Sequence, residues 1–127
     1  MVKYKKADII IFIAVIMLHT LNQLIKNEIT YEPAGYLLRN HFNDFLGGIG
    51  IIAYIDFWLC ISKYHIHISK NWIILLIGFL CGLFWEFITP IYRPESVSDL
   101  WDIVAYVMGA GAYALLISIM HRLAIKL

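Results

Sequence analysis

Four long apolar runs constrain the fold of this chain more than any other feature of its sequence. They cover about residues 7–25, 45–62, 72–91 and 103–120. Each run approaches the roughly 20 residues that an α-helix needs to cross a hydrocarbon core about 30 Å thick. The runs are too long and too uniformly apolar for barrel strands, and lipid offers no partner to an unpaired backbone amide. We therefore predict an all-α integral membrane bundle of four transmembrane helices, in a single domain over residues 1–127.

The composition supports a membrane protein rather than a soluble domain. Hydrophobic residues make up 61% of the 127 residues and charged residues 15%, against about 45–50% and 25% in soluble domains. A soluble chain of this size cannot bury so much apolar surface. The first run is followed by no small-residue cleavage pattern, so we expect it to be retained as a helix. The net charge of +1 gives no sign of a basic patch, and no nucleic-acid partner is predicted.

The distribution of basic residues predicts the orientation. Three segments of a four-span protein share one side, and they carry most of the lysine and arginine: Lys3, Lys5, Lys6, Lys63, Lys70, Arg122 and Lys126. On the other side, acidic residues outnumber basic ones. Because basic residues are enriched in cytoplasmic segments, both termini are predicted to be cytoplasmic.

Polar residues gather near the outer ends of all four predicted helices. Glu86 lies inside the third helix, where it cannot act as a cap, and ionisable groups in a membrane usually face the bundle interior or a water cavity. We predict an outward-open polar pocket between the helices. Its candidate ligand-binding residues are Glu86, Arg93, Asp99, Asp102, His41, Asp44, His19 and Tyr106.

Several of these residues also have simpler explanations. Asp99 and Asp102 open the fourth helix and Asp44 the second, and acidic or capping residues favour helix starts. Glu86 can form a purely structural ion pair with Arg93, and His19 can be a packed polar residue. A longer outer connection, residues 26–44, contains a segment at 33–40 that can form a lid helix over the pocket.

No cofactor is predicted, but a divalent cation is a specific alternative. Carboxylates and imidazole are suitable ligands, with Asp99, Asp102 and Glu86 as the first candidates and His41 and Asp44 beside them. The spacing matches no known metal signature.

Fewer polar residues stand out in the inner half. Asp56 is interpreted as the only charge there, either snorkelling to the interface or binding a proton. His65 and His67 are a weak metal signal and more typical of a solvated loop. Glycines at Gly78-x-x-x-Gly82 and from Gly109 onward form small-residue faces, which favour packing within one bundle and leave a homo-oligomer as the alternative.

These residues resemble the pattern of VanZ-like membrane proteins. The resemblance covers about residues 38–115 and rests on His41-Phe42, then Glu86, Arg93, Asp102 and Gly109. The chain departs from the family pattern at Thr89 and Tyr106, where the family usually has polar amides. The resemblance implies a bacterial envelope protein of the cytoplasmic membrane, associated in some members with glycopeptide (teicoplanin) resistance.

Two functional hypotheses follow. In the first, the pocket binds a membrane lipid or lipid-linked envelope precursor. In the second, the protein is an integral-membrane enzyme on the same kind of ligand, a hydrolase or transferase in which Glu86 or His41 is a general acid or base, alone or beside a cation. A channel or proton-coupled transporter is less favoured, because it needs a polar path through both leaflets.

Overall fold

A computed structural model of the chain describes residues 2–25, 28, 41–92 and 100–126. Within these residues it contains four helices and no strand: α1 (Val2–Ile25), α2 (Phe42–Ile61), α3 (Asn71–Tyr92) and α4 (Leu100–Lys126). All four are long and apolar enough to cross a membrane. The prediction of an all-α protein with four candidate spans is confirmed, and the side on which the termini lie stays a prediction.

The helices are longer than the apolar runs that predicted them. α1 begins at Val2 rather than near residue 7, and α4 continues to Lys126 rather than ending near residue 120. Hydropathy marks where the lipid begins, whereas a helix continues until its backbone is capped or redirected. Long basic side chains near such ends can extend towards water while their aliphatic stems stay in apolar surroundings.

The helices run alternately up and down, with α2 and α4 as the central pair. α1 packs mainly on α2, α3 packs mainly on α4, and α1 and α3 hardly touch each other. We call the end where α1 begins, α4 ends and residues 62–70 connect α2 to α3 the terminal end. The opposite end is the far end. Large apolar side chains remain exposed along all four helices, as expected for surfaces that face lipid.

Glycine makes the close approach of the central pair possible. A Cβ atom on Gly48 would collide with the backbone oxygen of Tyr106, and one on Gly109 would collide with that of Phe45. On α3, added Cβ atoms at Gly78 and Gly82 would meet α4, at 2.6 Å from Ala110 Cβ and 3.1 Å from Ile103 Cα respectively. The predicted small-residue faces therefore pack helices within the chain, and a homo-oligomer stays an open alternative.

Candidate functional site

Polar side chains from all four helices meet at the far end. We call this group the far-end cluster, and its members are His19, His41, Asn43, Asp44, Glu86, Asp102 and Tyr106. Six of the eight predicted ligand-binding residues belong to it. The other two, Arg93 and Asp99, lie outside the described residues, as does the predicted lid at residues 33–40.

An imidazole–carboxylate pair joins the start of α2 to the start of α4. His41 is the residue before α2, and its Nδ1 lies 3.3 Å from Asp102 Oδ1. Both side chains are partly exposed, at 15% for His41 and 29% for Asp102. Asp102 is in the first turn of α4, where a carboxylate also benefits from the positive end of the helix dipole. The pair is both accessible and capable of exchanging a proton.

Asn43 connects the far-end cluster to α1. Its Oδ1 accepts a hydrogen bond from Asn22 Nδ2 at 3.1 Å and lies 3.1 Å from His19 Nδ1. A carbonyl oxygen has two lone pairs, so it can accept from both donors. His19 therefore holds α1 in place beside the pocket, through Asn43.

Glu86 and Tyr106 bring α3 and α4 into the same cluster. The charges of Asp44, Asp102 and Glu86 all lie close enough to Tyr106 to act on its hydroxyl group. Glu86 is on α3 and is only partly exposed. Asp44 and Asp102 thus lie close together, and the predicted shared pocket of acidic and basic side chains, which includes Arg93, stays a prediction.

An open apolar groove of about 830 Å³ lies directly beside the cluster. α1 and α3 form its walls and α2 forms most of its floor. Its lining includes Phe12, Ile51, Leu80, Phe84 and Trp85. Tyr106 lines the groove and lies one turn along α4 from Asp102 of the far-end cluster. Polar and apolar compartments thus share one side chain as their border.

Three of the residues considered for a cation lie together in the described part of the chain, and the cation itself stays a prediction. Ligand atoms of His41, Asp44 and Asp102 all lie within 4.8 Å of one another. The 3.3 Å between His41 Nδ1 and Asp102 Oδ1 equals the separation of about 3.3 Å expected for two tetrahedral ligands each about 2.0–2.1 Å from zinc. Of the candidates Asp99, Asp102 and Glu86, Asp102 belongs to this group and Glu86 does not, whereas Asp99 lies outside the described residues. The donor set suits zinc or a harder divalent cation.

A second polar group lies near the terminal end, and sequence reasoning missed most of it. We call it the terminal cluster, and its members are Asp8, Asp56, Cys60, His67 and Tyr113. Asp8, Asp56 and Tyr113 are each 0% exposed. Asp56, interpreted from the sequence as the only inner charge, is not the only acidic side chain at this end, because Asp8 shares the Tyr113 hydroxyl with it.

Asp56 organises the connection between α2 and α3. Its Oδ1 accepts the backbone N–H of Ile68 at 2.6 Å, and its Oδ2 lies 2.7 Å from His67 Nδ1. The prediction that both loop histidines are solvated is wrong for His67, whose side chain is 9% exposed, and correct for His65, which is exposed. Asp56 does not snorkel to the interface, because the loop folds back onto it.

A comparison of the chain with protein-family models, with curated proteins and with solved structures finds no match. The resemblance to VanZ-like proteins therefore stays a prediction from the residues quoted above.

Proposed function

We propose that this chain is a multi-pass protein of the bacterial cytoplasmic membrane that binds a lipid or lipid-linked envelope precursor at the outer leaflet. One observation supports this proposal above all others: Tyr106 lines the apolar groove, lies one turn after Asp102 on α4, and packs against Gly47, one turn after Asp44 on α2. An amphiphilic ligand needs this arrangement, because its head group and its chain require adjacent polar and apolar compartments.

The groove suits an acyl or prenyl chain. Its volume of about 830 Å³ falls in the range of about 300–1,000 Å³ that is typical of ligand sites. Its walls belong to helices whose outer surfaces face hydrocarbon, so chains of the bilayer have direct access to it. Trp85 and Phe84 supply flat apolar surfaces against which such a chain can pack.

The far-end cluster suits a head group that carries amino or hydroxyl groups. Asp44, Glu86 and Asp102 contribute three carboxylates, which attract ammonium groups and accept hydrogen bonds from hydroxyls. These interactions strengthen where the local dielectric constant is low. Arg93 is proposed to contact a phosphate or carboxylate of the same ligand.

The orientation of the protein in the membrane and its bacterial origin are proposed from the sequence. The excess of lysine and arginine in the terminal segments supports an arrangement with both termini in the cytoplasm and the far end outside. The VanZ-like pattern supports a bacterial envelope protein with a role in glycopeptide-antibiotic resistance.

Native mass spectrometry of the purified protein tests the groove. We expect wild-type protein to retain a lipid, and Leu80→Trp to lose it, because Leu80 lines the groove and tryptophan would fill it. Leu76→Trp is the matched control, since Leu76 is exposed one turn away and is not a lining residue. Equal lipid retention by the two variants would argue against the groove as the chain site.

A growth assay tests the head-group side. Glu86→Gln and Asp102→Asn are expected to accumulate normally and to lose protection against envelope-directed antibiotics. Wild-type resistance in both variants, at equal protein levels, would reduce these carboxylates to structural roles.

A metal-assisted enzyme is the second candidate, favoured by the grouping of His41, Asp44 and Asp102 within 4.8 Å. In that case a bound divalent cation would activate water or polarise a phosphoryl oxygen, and Glu86, which is outside the ligand group, would transfer the proton. Incubation of purified protein with extracted envelope lipids, with and without a chelator, separates the candidates. A lipid profile that stays unchanged with cation present would count against the enzyme.

A further inference from the structure

We propose that Asp8 and Asp56 together bind one proton inside the terminal end of the bundle, and that His67 exchanges this proton with water. The inference concerns the terminal cluster, so it does not depend on the proposed function at the far end.

Two carboxyl groups are buried next to each other in the terminal cluster. Asp8 and Asp56 are both 0% exposed, and Tyr113 Oη lies 2.6 Å from Asp8 Oδ1 and 3.1 Å from Asp56 Oδ2. Two negative charges buried on either side of one hydroxyl group repel each other and lose their hydration. His67 can neutralise one of them when it is protonated, but a second positive charge is absent from the described members of the cluster. One carboxyl group therefore stays un-ionised.

The hydrogen bonds decide which group keeps the proton. Asp56 is well supplied with donors, because it accepts the N–H of Ile68 and contacts His67 at 2.7 Å, which favours its ionised form. Asp8 shares a hydrogen bond with Tyr113 and no described N–H or O–H donor reaches its buried Oδ2, but its carboxyl group lies within hydrogen-bond reach of Asp56, which can share a proton with it. Burying a carboxylate oxygen that accepts no hydrogen bond costs free energy. The cost is smaller for an un-ionised carboxyl group, because it carries no net charge. The proton therefore rests on Asp8.

Tyr113 provides the route between the two carboxyl groups. When Asp56 Oδ2 carries the proton, it can donate that proton to Tyr113 Oη while Tyr113 releases its own proton to Asp8 Oδ1. The net change is the transfer of one proton from Asp56 to Asp8, and the tyrosine is neutral before and after. A hydroxyl group has one proton and two lone pairs, which is what this exchange requires.

His67 provides the access to water. An open cleft of about 460 Å³ at the terminal end is lined by His67 together with Tyr4, Asn71, Ser118 and His121. The imidazole can take up a proton on one ring nitrogen and release the other from Nδ1 to Asp56. Tyr4 stacks on His67 with ring centroids 3.7 Å apart and holds the ring in this position.

Among the described residues, no lysine or arginine side chain pairs with Asp8 or Asp56. The other titratable side chains that face the cluster are Tyr4 from α1, Cys60 from α2 and His121 from α4. Residues 71–80 of α3 include no titratable side chain. His121 lies beyond Tyr4, with ring centroids 5.4 Å apart, so it faces the cleft rather than the carboxyl pair.

A metal ion is a poorer occupant of this cluster. Asp56 Oδ2 and His67 Nδ1 are 2.7 Å apart, which is a hydrogen-bond distance, whereas two tetrahedral zinc ligands stand about 3.3 Å apart. Both oxygens of Asp56 are also occupied by hydrogen bonds.

Infrared difference spectroscopy of the protein in lipid nanodiscs tests the proton site. We expect wild-type protein at neutral pH to show the C=O stretching band of an un-ionised carboxyl group. Asp8→Asn should remove this band and Asp102→Asn should leave it. Asparagine copies the shape and neutrality of the un-ionised acid, so Asp8→Asn is expected to fold. If it does not accumulate, Tyr113→Phe should shift the band instead, because it removes the hydroxyl donor.

The access route is tested by the rate at which the band shifts in deuterated buffer. His67→Asn should slow this exchange about 100-fold, the lower range of what a positioned acid–base group contributes. His65→Asn, on the same loop, should exchange at the wild-type rate. Three outcomes would overturn the proposal: no band in the wild type, a band unchanged by both Asp8→Asn and Tyr113→Phe, or stoichiometric metal that is lost in Asp56→Asn. Wild-type exchange in His67→Asn would overturn the route.

Discussion

The two polar clusters differ in how completely the protein encloses them. In the terminal cluster, Asp8, Asp56 and Tyr113 are 0% exposed and bond to each other, to a loop amide or to His67. In the far-end cluster, His41 and Asp102 stay 15% and 29% exposed beside a large open groove. Buried polar networks fix a fold when their members are satisfied, whereas accessible carboxylates next to an apolar cavity can recruit a ligand. The comparison associates the closed end with maintenance of the fold and the open end with the proposed binding site.

The largest effect on stability is expected when the charge at Asp56 is removed. Asp56→Asn should lower the free energy of unfolding by about 3 kcal/mol, because Ile68 N–H and His67 lose a charged acceptor inside the bundle. Denaturant titration of helical circular dichroism in detergent measures it. A loss below about 1 kcal/mol would show that the terminal cluster does not maintain the fold.

The next largest effect is expected where α2 and α4 approach closely, at a position between the two clusters. Gly48→Ala should destabilise the protein by about 1–3 kcal/mol, since the new Cβ would collide with backbone atoms of α4 that cannot rotate away. Gly111→Ala is the control, because its Cβ would lie 3.7 Å from Leu75 Cδ2, an ordinary contact. Thermal unfolding of both variants in the same detergent should separate them. Equal melting temperatures would contradict the packing described here.

Cysteine labelling compares the accessibility of the two regions. Cys81 lines the groove and is partly exposed, whereas Cys60 is 3% exposed beside Asp56. We expect a maleimide to modify Cys81, in a Cys60→Ala background, at least about tenfold faster than Cys60 in a Cys81→Ala background. Reaction at a closed site requires a local opening that costs free energy. Mass spectrometry over time gives both rates, and comparable rates would remove the distinction between an open and a closed region.

The smallest stability effect is expected at the far end. Asp102→Asn should change the free energy of unfolding by less than about 1 kcal/mol, because its contact with His41 is partly exposed. The same denaturant titration measures it beside Asp56→Asn. A loss as large as that of Asp56→Asn would mean that both clusters serve the fold.

The sequence predicted the spans and the far-end cluster for the same physical reason. Hydropathy locates the membrane, and counting along each span gives the depth of every polar residue. Glu86, His41 and Asp102 fall at one depth on helices that must pack together, so their convergence followed. Glycine contacts such as that of Gly48 with α4 decide which helices are neighbours. They also decide that α1 and α3 flank a groove. These contacts have no signature in depth alone.

The terminal cluster was missed for two separate reasons. Asp8 follows a lysine-rich start and resembles an interfacial residue, although Asp8 and Asp56 each lie less than two turns from the terminal end of their helices. Matching their depths on antiparallel helices would have paired them. His67 had no such signal, because its contact with Asp56 depends on how residues 62–70 turn back, which includes a left-handed backbone at His65 with φ of 48°.

The weak contact between α1 and α3 has a consequence for how a ligand would arrive. Because these two walls hardly touch, a molecule diffusing sideways within one leaflet can slide between them without first separating packed helices or crossing an aqueous phase. Occupancy of the groove would then follow the mole fraction of that molecule among its lipid neighbours. Adding other lipid to the bilayer would therefore lower the occupancy more than adding buffer would.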